Sequence, residues 1–329
     1  MTFLVWRQYR RQWAIALGLL AVFAAVELVN GFQLAHTWHY VLTNCRGSAA
    51  SSGQCREIVS TLGADMRTLS ELVPALLGIL WGAPLVAHEL EAGTTGFAWT
   101  QGVTRARWLW VKVFWLLLAA AVWGGIVGAL VTWWSGPVNA EQASTFFVNN
   151  FDTQGIVPIG YSVFAMALGI AAGALLRRTL PAIAVTIAGF AAVRLLVAEE
   201  LRQYLLPPVK TVASLTSNRG PSGISWVISS GFVTKAGRAL PDYGNYNGPS
   251  FNGTPVSDFP AACQKILNAA QSTGNAINTC LAHAGIQQSF SYQPGYRFWP
   301  IQGIETGLFL TLAAVLLAVA WLALRRRDA

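Results

Sequence analysis

Few residues in this chain are arranged for covalent chemistry. His88-Glu89 begins like the HExxH helix of zinc proteases, but position 92 is Ala and the second histidine ligand is missing. The sequence holds no GxxxxGK[ST] phosphate loop and no GxSxG nucleophile elbow. His36 and His39 stand at i, i+3, a spacing that suits a metal but more often marks polar residues at a helix end. What remains are ionisable groups inside apolar sequence. Glu27 lies two-thirds of the way along one apolar run and Arg194 lies within another. Such groups cost about 2.5–3.5 kcal/mol each on insertion scales, so they face a cavity or a partner. Both fall toward the same half of their runs. A Glu27–Arg194 pair therefore fits, either as a structural ion pair or along a substrate path, and Arg194 is also placed to snorkel to the interface. Glu305, near the start of the last apolar run, is expected at the interface.

The elements that must position these groups are apolar helices. Of 329 residues, 54% are hydrophobic and only 11% charged, against roughly 25% charged in an average soluble domain. Runs of about 20 apolar residues show water no polar face and match the hydrocarbon thickness of a bilayer. Six such runs are expected to span: Trp13–Gln33, Leu72–Ala87, Val113–Trp134, Val157–Leu176, Leu180–Ala198 and Ile301–Leu324. The second is short and should borrow residues from Thr68 onward. Pro74, Pro158, Pro181 and Pro300 stand near span starts, where the missing N–H costs least, whereas Pro84 stands late in its span and is expected to disturb it. Ahead of the first span, Met1–Gln12 mixes Phe3, Leu4 and Trp6 with Arg7, Arg10 and Arg11, the pattern of a helix lying in the headgroup layer.

Charge placement orients the spans. One side carries eleven basic residues, from Arg7, Arg10 and Arg11 through Arg105, Arg107, Lys112, Arg177 and Arg178 to Arg325–Arg327. It carries three acids, Glu89, Glu91 and Asp328, and the difference equals the formal net charge of +8. By the positive-inside rule this side is cytoplasmic, so both termini lie in the cytoplasm of the cell membrane. The basic pI thus reports orientation, and no nucleic-acid-binding motif accompanies it. All four cysteines, Cys45, Cys55, Cys263 and Cys280, then fall outside, where disulfides persist. Cys45–Cys55 and Cys263–Cys280 form the simplest of three connectivities.

These readings define an all-α polytopic membrane protein with six transmembrane helices. Residues 1–198 hold helices 1–5, residues 199–299 form a small disulfide-stapled extracytoplasmic domain, and residues 300–329 hold helix 6 and a basic tail. Within the domain, Ile224–Val233 reads as strand, while Val256–Gln271 and Asn275–His283 read as helices clamped by Cys263–Cys280. Gly78/Gly82, Gly124/Gly128 and Gly169/Gly173 each allow a close helix approach without saying which helices meet. The 14 tryptophans cluster near span ends, as in an interfacial belt.

The cytoplasmic segment 88–112 is the most informative. Glu89 and Glu91 precede a Gly93-Thr94 turn, then a short amphipathic stretch with Phe97 and Trp99, then Arg105, Arg107 and Lys112. Thr94 or Thr95 suits a helix N-cap, and Phe97 and Trp99 suit a partner's groove. A plain membrane-surface loop is the competing reading.

The pattern of Glu89, Glu91, Gly93, Thr94, Thr104, Arg105 and Lys112 resembles that of ABC-2 type transporter permeases. Gly169–Ala182 (GIAAGALLRRTLPA) and Tyr292–Thr306 (YQPGYRFWPIQGIET) resemble segments of actinobacterial ABC transporter permeases, and the likeness extends over essentially the whole chain. The resemblance implies a transmembrane subunit with no ATPase of its own and no cofactor in this chain. ATP and Mg²⁺ would reside in a separate cytoplasmic ABC subunit, and a second permease subunit, identical or not, would complete the membrane part. Glu89, Glu91, Gly93, Thr94, Phe97, Trp99 and Arg105 would then form the ATPase-coupling segment. The implied function is ATP-driven export of an amphipathic or hydrophobic cargo: a drug, a peptide antibiotic or a lipid. A non-transporting sensor or immunity protein, whose outer domain binds a ligand, is the alternative. A membrane enzyme is disfavoured by the missing catalytic constellations.

Overall fold

The computed structural model describes residues 14, 18, 21–33, 36, 68, 70–91, 105–142, 146, 148–216, 221, 225–241, 250–252, 254–268 and 274–326. The described residues divide into two compact units, one built from the chain up to Leu205 together with Trp299 onward, the other from Leu206–Phe298.

In the first unit, α1 covers Ala21–Gln33. Helix α2 starts at Ser70, passes through a π turn at Gly78–Gly82 and ends as Ala83–Glu91. Helix α3 is Arg105–Gln142, the short α4 is Val148–Thr153, and α5 is Val157–Leu176. Helix α6 is Thr179–Leu195, extended by a π turn at Leu196–Leu201 and a 3₁₀ turn at Arg202–Tyr204. Helix α9, the last of the chain, is Phe298–Arg326. Among the described residues, five helices are long and apolar enough to cross a membrane: Ser70–Ala87, Trp110–Gly136, Val157–Leu176, Thr179–Tyr204 and Gly295–Arg325. The expected first span, Trp13–Gln33, contains the shorter apolar helix Ala21–Gln33 and, ahead of it, residues 14 and 18.

Helix α5 is the central element, and its glycines explain how. A Cβ on Gly169 would sit 2.5 Å from the Gly78 carbonyl oxygen and 2.7 Å from the Ala83 nitrogen. One on Gly173 would sit 2.6 Å from the Ala83 oxygen. These glycines therefore let the α2 and α5 backbones touch, and the π turn of α2 lies in that contact. Pro84 accounts for the turn. It offers no N–H to the Leu80 carbonyl, and the ladder shifts to i→i+5, with the Ala83 N–H bonding Gly78 O. Gly124 and Gly128 of α3 pack in the same way against the backbone at Pro158, Ile159 and Gly155. Val73, Leu77, Val127, Val131, Met166, Ile170 and Leu317 fill the shared core. Outward faces stay apolar: Leu180, Leu195, Leu196 and Val315 are all exposed, as expected of helices bathed in lipid.

Two helices of this unit begin without a local cap. The residue before α5 is Ile156 and the residue before α6 is Arg178, and neither makes a side-chain capping bond. The orphan N–H groups at each start find acceptors on neighbouring helices. Gln302 Oε1 of α9 accepts from Ile156 N (3.0 Å) and Val157 N (2.9 Å) at α5. Glu91 Oε2 of α2 accepts from Thr179 N (3.2 Å) and Thr179 Oγ1 (2.9 Å) at α6.

The second unit, 206–298, carries strands, so the chain as a whole is not all-α. Strands β1 (Val209–Ser214), β2 (Ser225–Thr234) and, after the two helices below, β5 (Ile286–Pro294) form an antiparallel sheet in the order β1-β5-β2. The run Ile224–Val233, read as strand from sequence, overlaps β2 over Ser225–Val233. Its β-branched and aromatic residues, set among serines, suit a half-buried pleated surface. A small ladder pairs β3 (Ser250–Phe251) with β4 (Thr254–Pro255). Helices α7 (Ala261–Asn268) and α8 (Gly274–His283) are joined by the Cys263–Cys280 disulfide. Phe232, Phe259, Ile277, Leu281 and Ile286 pack around it. Cys45 and Cys55 lie outside the described residues.

Candidate functional site

Arg202 is the largest fully buried side chain among the described residues, and the candidate site is built around it. It sits at the end of the α6 extension. Regular α-helix would place residues eight apart about 80° from each other around the axis. The π turn between Arg194 and Arg202 rotates the second guanidinium back toward the face of the first, so both reach Asp152.

Arg202 Nε donates to Glu305 Oε2 (2.9 Å) and Nη2 donates to Glu305 Oε1 (2.9 Å), a bidentate pair between α6 and α9. Nη2 also donates to Asp152 Oδ1 of α4 and to the Tyr161 hydroxyl of α5 (3.2 Å). Tyr161 donates in turn to Glu305 Oε1 (2.6 Å). Arg194 adds two bonds to Asp152 Oδ2, at 3.1 and 3.0 Å, and approaches Glu71 Oε2 of α2 at 3.6 Å. The flat Arg202 guanidinium lies over the Phe151 ring, 4.2 Å from its centroid, a cation–π contact in a dry setting. Among the described residues, Arg202 Nη1 alone of its nitrogens has no hydrogen-bond acceptor. Asp152, Arg202 and Glu305 are at most 3% exposed, so every charge here depends on its neighbours. The network ties together α2, α4, α5, α6 and α9 at the end of the bundle opposite Arg177 and Arg178.

This arrangement corrects one expectation. Glu27 and Arg194 do not pair. Glu27, itself buried, accepts from Ser70 Oγ (3.2 Å) and Trp134 Nε1 (3.0 Å), while Arg194 is taken by Asp152 and Glu71. Those two partners of Glu27 belong to α2 and α3. Glu305, near the start of its span, is fully buried and paired with Arg202 within the bundle. Asp152, Tyr161 and Arg202 escaped sequence reasoning. The apolar pattern of the fifth span ends near Ala198, and nothing in it reveals the π turn that carries Arg202 onward. Asp152 lies in a polar stretch, yet Asn150, Phe151, Asp152, Thr153 and Gln154 are all buried. Their signal is two aromatics, Phe146 and Phe151, among amides, and these stack 6.2 Å apart.

Of the coupling-segment residues, Glu91 is described, and it is exposed and bonded to Thr179. Glu89 and Arg105 lie on the helical backbone of α2 and α3, with side chains outside the described part. Gly93, Thr94, Phe97 and Trp99 lie outside the described residues. The close approach of Gly173 to Ala83 and Ala87 holds this end of α2 against α5, and the α5–α6 turn follows at once. Arg177 there adopts the left-handed conformation (φ 55°) and bonds Gly173 O.

Five apolar helices of spanning length, four of them joined by a buried ionic cluster, define a polytopic membrane protein. A family model, ABC-2 membrane transporter related, matches residues 17–202, and the chain belongs to that family. The match supports the ABC-2 type permease resemblance read from Glu89 to Lys112. No curated protein and no solved structure matches the chain.

Proposed function

We propose that this chain is the transmembrane subunit of an ATP-driven ABC exporter in the cell membrane. The family match over 17–202 carries the reading. The first apolar run completes a sixth span, both termini are cytoplasmic, and unit 206–298 lies outside. A separate cytoplasmic ABC subunit binds ATP and Mg²⁺, and a second permease subunit pairs with this one. The cargo is amphipathic or hydrophobic, consistent with lipid-facing apolar surfaces and a polar cluster sealed inside. Residues 88–112 seat in the ATPase. Support comes from the unbroken run of α2 into Glu91, which makes the segment's start a rigid continuation of a span. At the outer end, the Arg202–Glu305–Asp152 cluster holds helices together that must part for cargo to leave. Two-state repacking of such an ionic contact is a known way of switching helix bundles.

Co-expression with a candidate ABC ATPase tests this. The wild-type chain should capture the ATPase, and deleting Phe97–Trp99 should release it while the chain still inserts. An ATPase that stays bound and fully active toward cargo after the deletion refutes the coupling assignment.

A further inference from the structure

We infer that Glu91, within the segment proposed to seat in the ATPase, is a strut that drives α6. The inference rests on the permease reading above. Helix α6 starts with no cap of its own, because Arg178 supplies no side-chain acceptor. Its first N–H and the Thr179 hydroxyl both bond the Glu91 carboxylate, at 3.2 and 2.9 Å. A carboxylate there also meets the positive end of the α6 dipole. Glu91 is the last described residue of α2 and lies within the 88–112 segment. A displacement of that segment therefore reaches α6 directly, without passing through α5.

The far end of α6 gives the displacement something to act on. From Thr179 the helix runs without interruption to Leu195, then through the π turn to Tyr204. That end carries Arg194 and Arg202, which hold the outer ionic cluster. One helix thus links the Glu91–Thr179 joint to the bonds that keep the outer ends together. Pushing or rotating α6 at its start would strain the Arg202 pairs with Glu305 and Asp152.

Thr179→Pro isolates the joint. Thr179 is the first residue of α6, where proline is well tolerated, and Arg178 already holds the extended backbone (φ −131°, ψ 131°) that precedes proline. The substitution removes both donors and keeps the helix. Thr179→Ser keeps both donors and serves as the control. Spin labels at Trp133→Cys and Tyr204→Cys, both exposed positions, report movement of the far end of α6 against α3. The probe is Mg²⁺-ATP with vanadate, added to the full permease–ATPase complex in lipid. Wild type and Thr179→Ser should show an ATP-dependent change in the label separation. Thr179→Pro should capture the ATPase and hydrolyse ATP at the basal rate, yet lose that change. Glu91→Ala should lose it too, and combining it with Thr179→Pro should add nothing. A full-sized change in Thr179→Pro overturns the strut alone. A wild-type chain that captures no ATPase and shows no change overturns the permease reading with it.

Discussion

Replacing Arg202 by Met keeps an unbranched apolar stem and removes the charged guanidinium, and the structure says where the cost falls. Asp152 retains both bonds from Arg194. Glu305, which is 0% exposed, keeps only the Tyr161 hydroxyl. Breaking a buried ion pair from one side costs about 3–5 kcal/mol, chiefly by stranding the other charge. Arg202→Met should therefore destabilise the chain by about that amount. Replacing the stranded partner should recover most of the loss: Arg202→Met/Glu305→Leu should lie within about 1–2 kcal/mol of wild type, since apolar packing often matches a buried pair. The coupling between the two sites should exceed about 2 kcal/mol in a double-mutant cycle. Reversible unfolding in mixed micelles, followed by tryptophan fluorescence, measures all four corners. Additive penalties, or an Arg202→Met chain as stable as wild type, would refute the claim that these charges are buried on one another.

Other outcomes follow from the same contacts. Gln302→Leu removes the acceptor of the Ile156 and Val157 N–H groups at the start of α5 and the donor to the Phe151 carbonyl, and should cost about 2–4 kcal/mol in the same unfolding assay. Gly169→Val forces a side chain against the α2 backbone at 2.5–2.9 Å, and should cost at least about 1–3 kcal/mol while Gly189→Ala, facing only the Leu168 side chain, costs less. Cys263→Ser/Cys280→Ser opens a link between residues 17 apart, and should lower the stability of the 206–298 unit by about 2–3 kcal/mol, read by proteolysis without reductant.

The spans were legible because lipid demands a long apolar run and little else. Val157–Leu176 has the same bounds in sequence and structure. Pro84 announced a disturbance in α2, although its form, a π turn closed by Gly78 and Ala83, depends on the α5 backbone lying against it. The glycine pairs signalled close packing, but the partners of Gly78 and Gly169 are a tertiary fact. The ionic cluster was half legible. Arg194 and Glu305 stood out as charges in apolar runs, yet their partners come from a buried α4 whose sequence reads as loop, and from an extension of α6 past its apolar pattern. Sequence spacing also paired Glu27 with the wrong helix, since depth along a span says nothing about the direction a side chain faces. The caps from Gln302 and Glu91 were invisible for the same reason: a cap supplied from 145 or 88 residues away leaves no local motif.

The central claim is that a separate nucleotide-hydrolysing subunit works through this chain. ATP hydrolysis by that subunit in proteoliposomes, with and without this chain, tests it most directly across drugs, peptide antibiotics and lipids. With the chain present, at least one of these classes should raise the hydrolysis rate, and without it none should. The same response in both preparations would contradict the account.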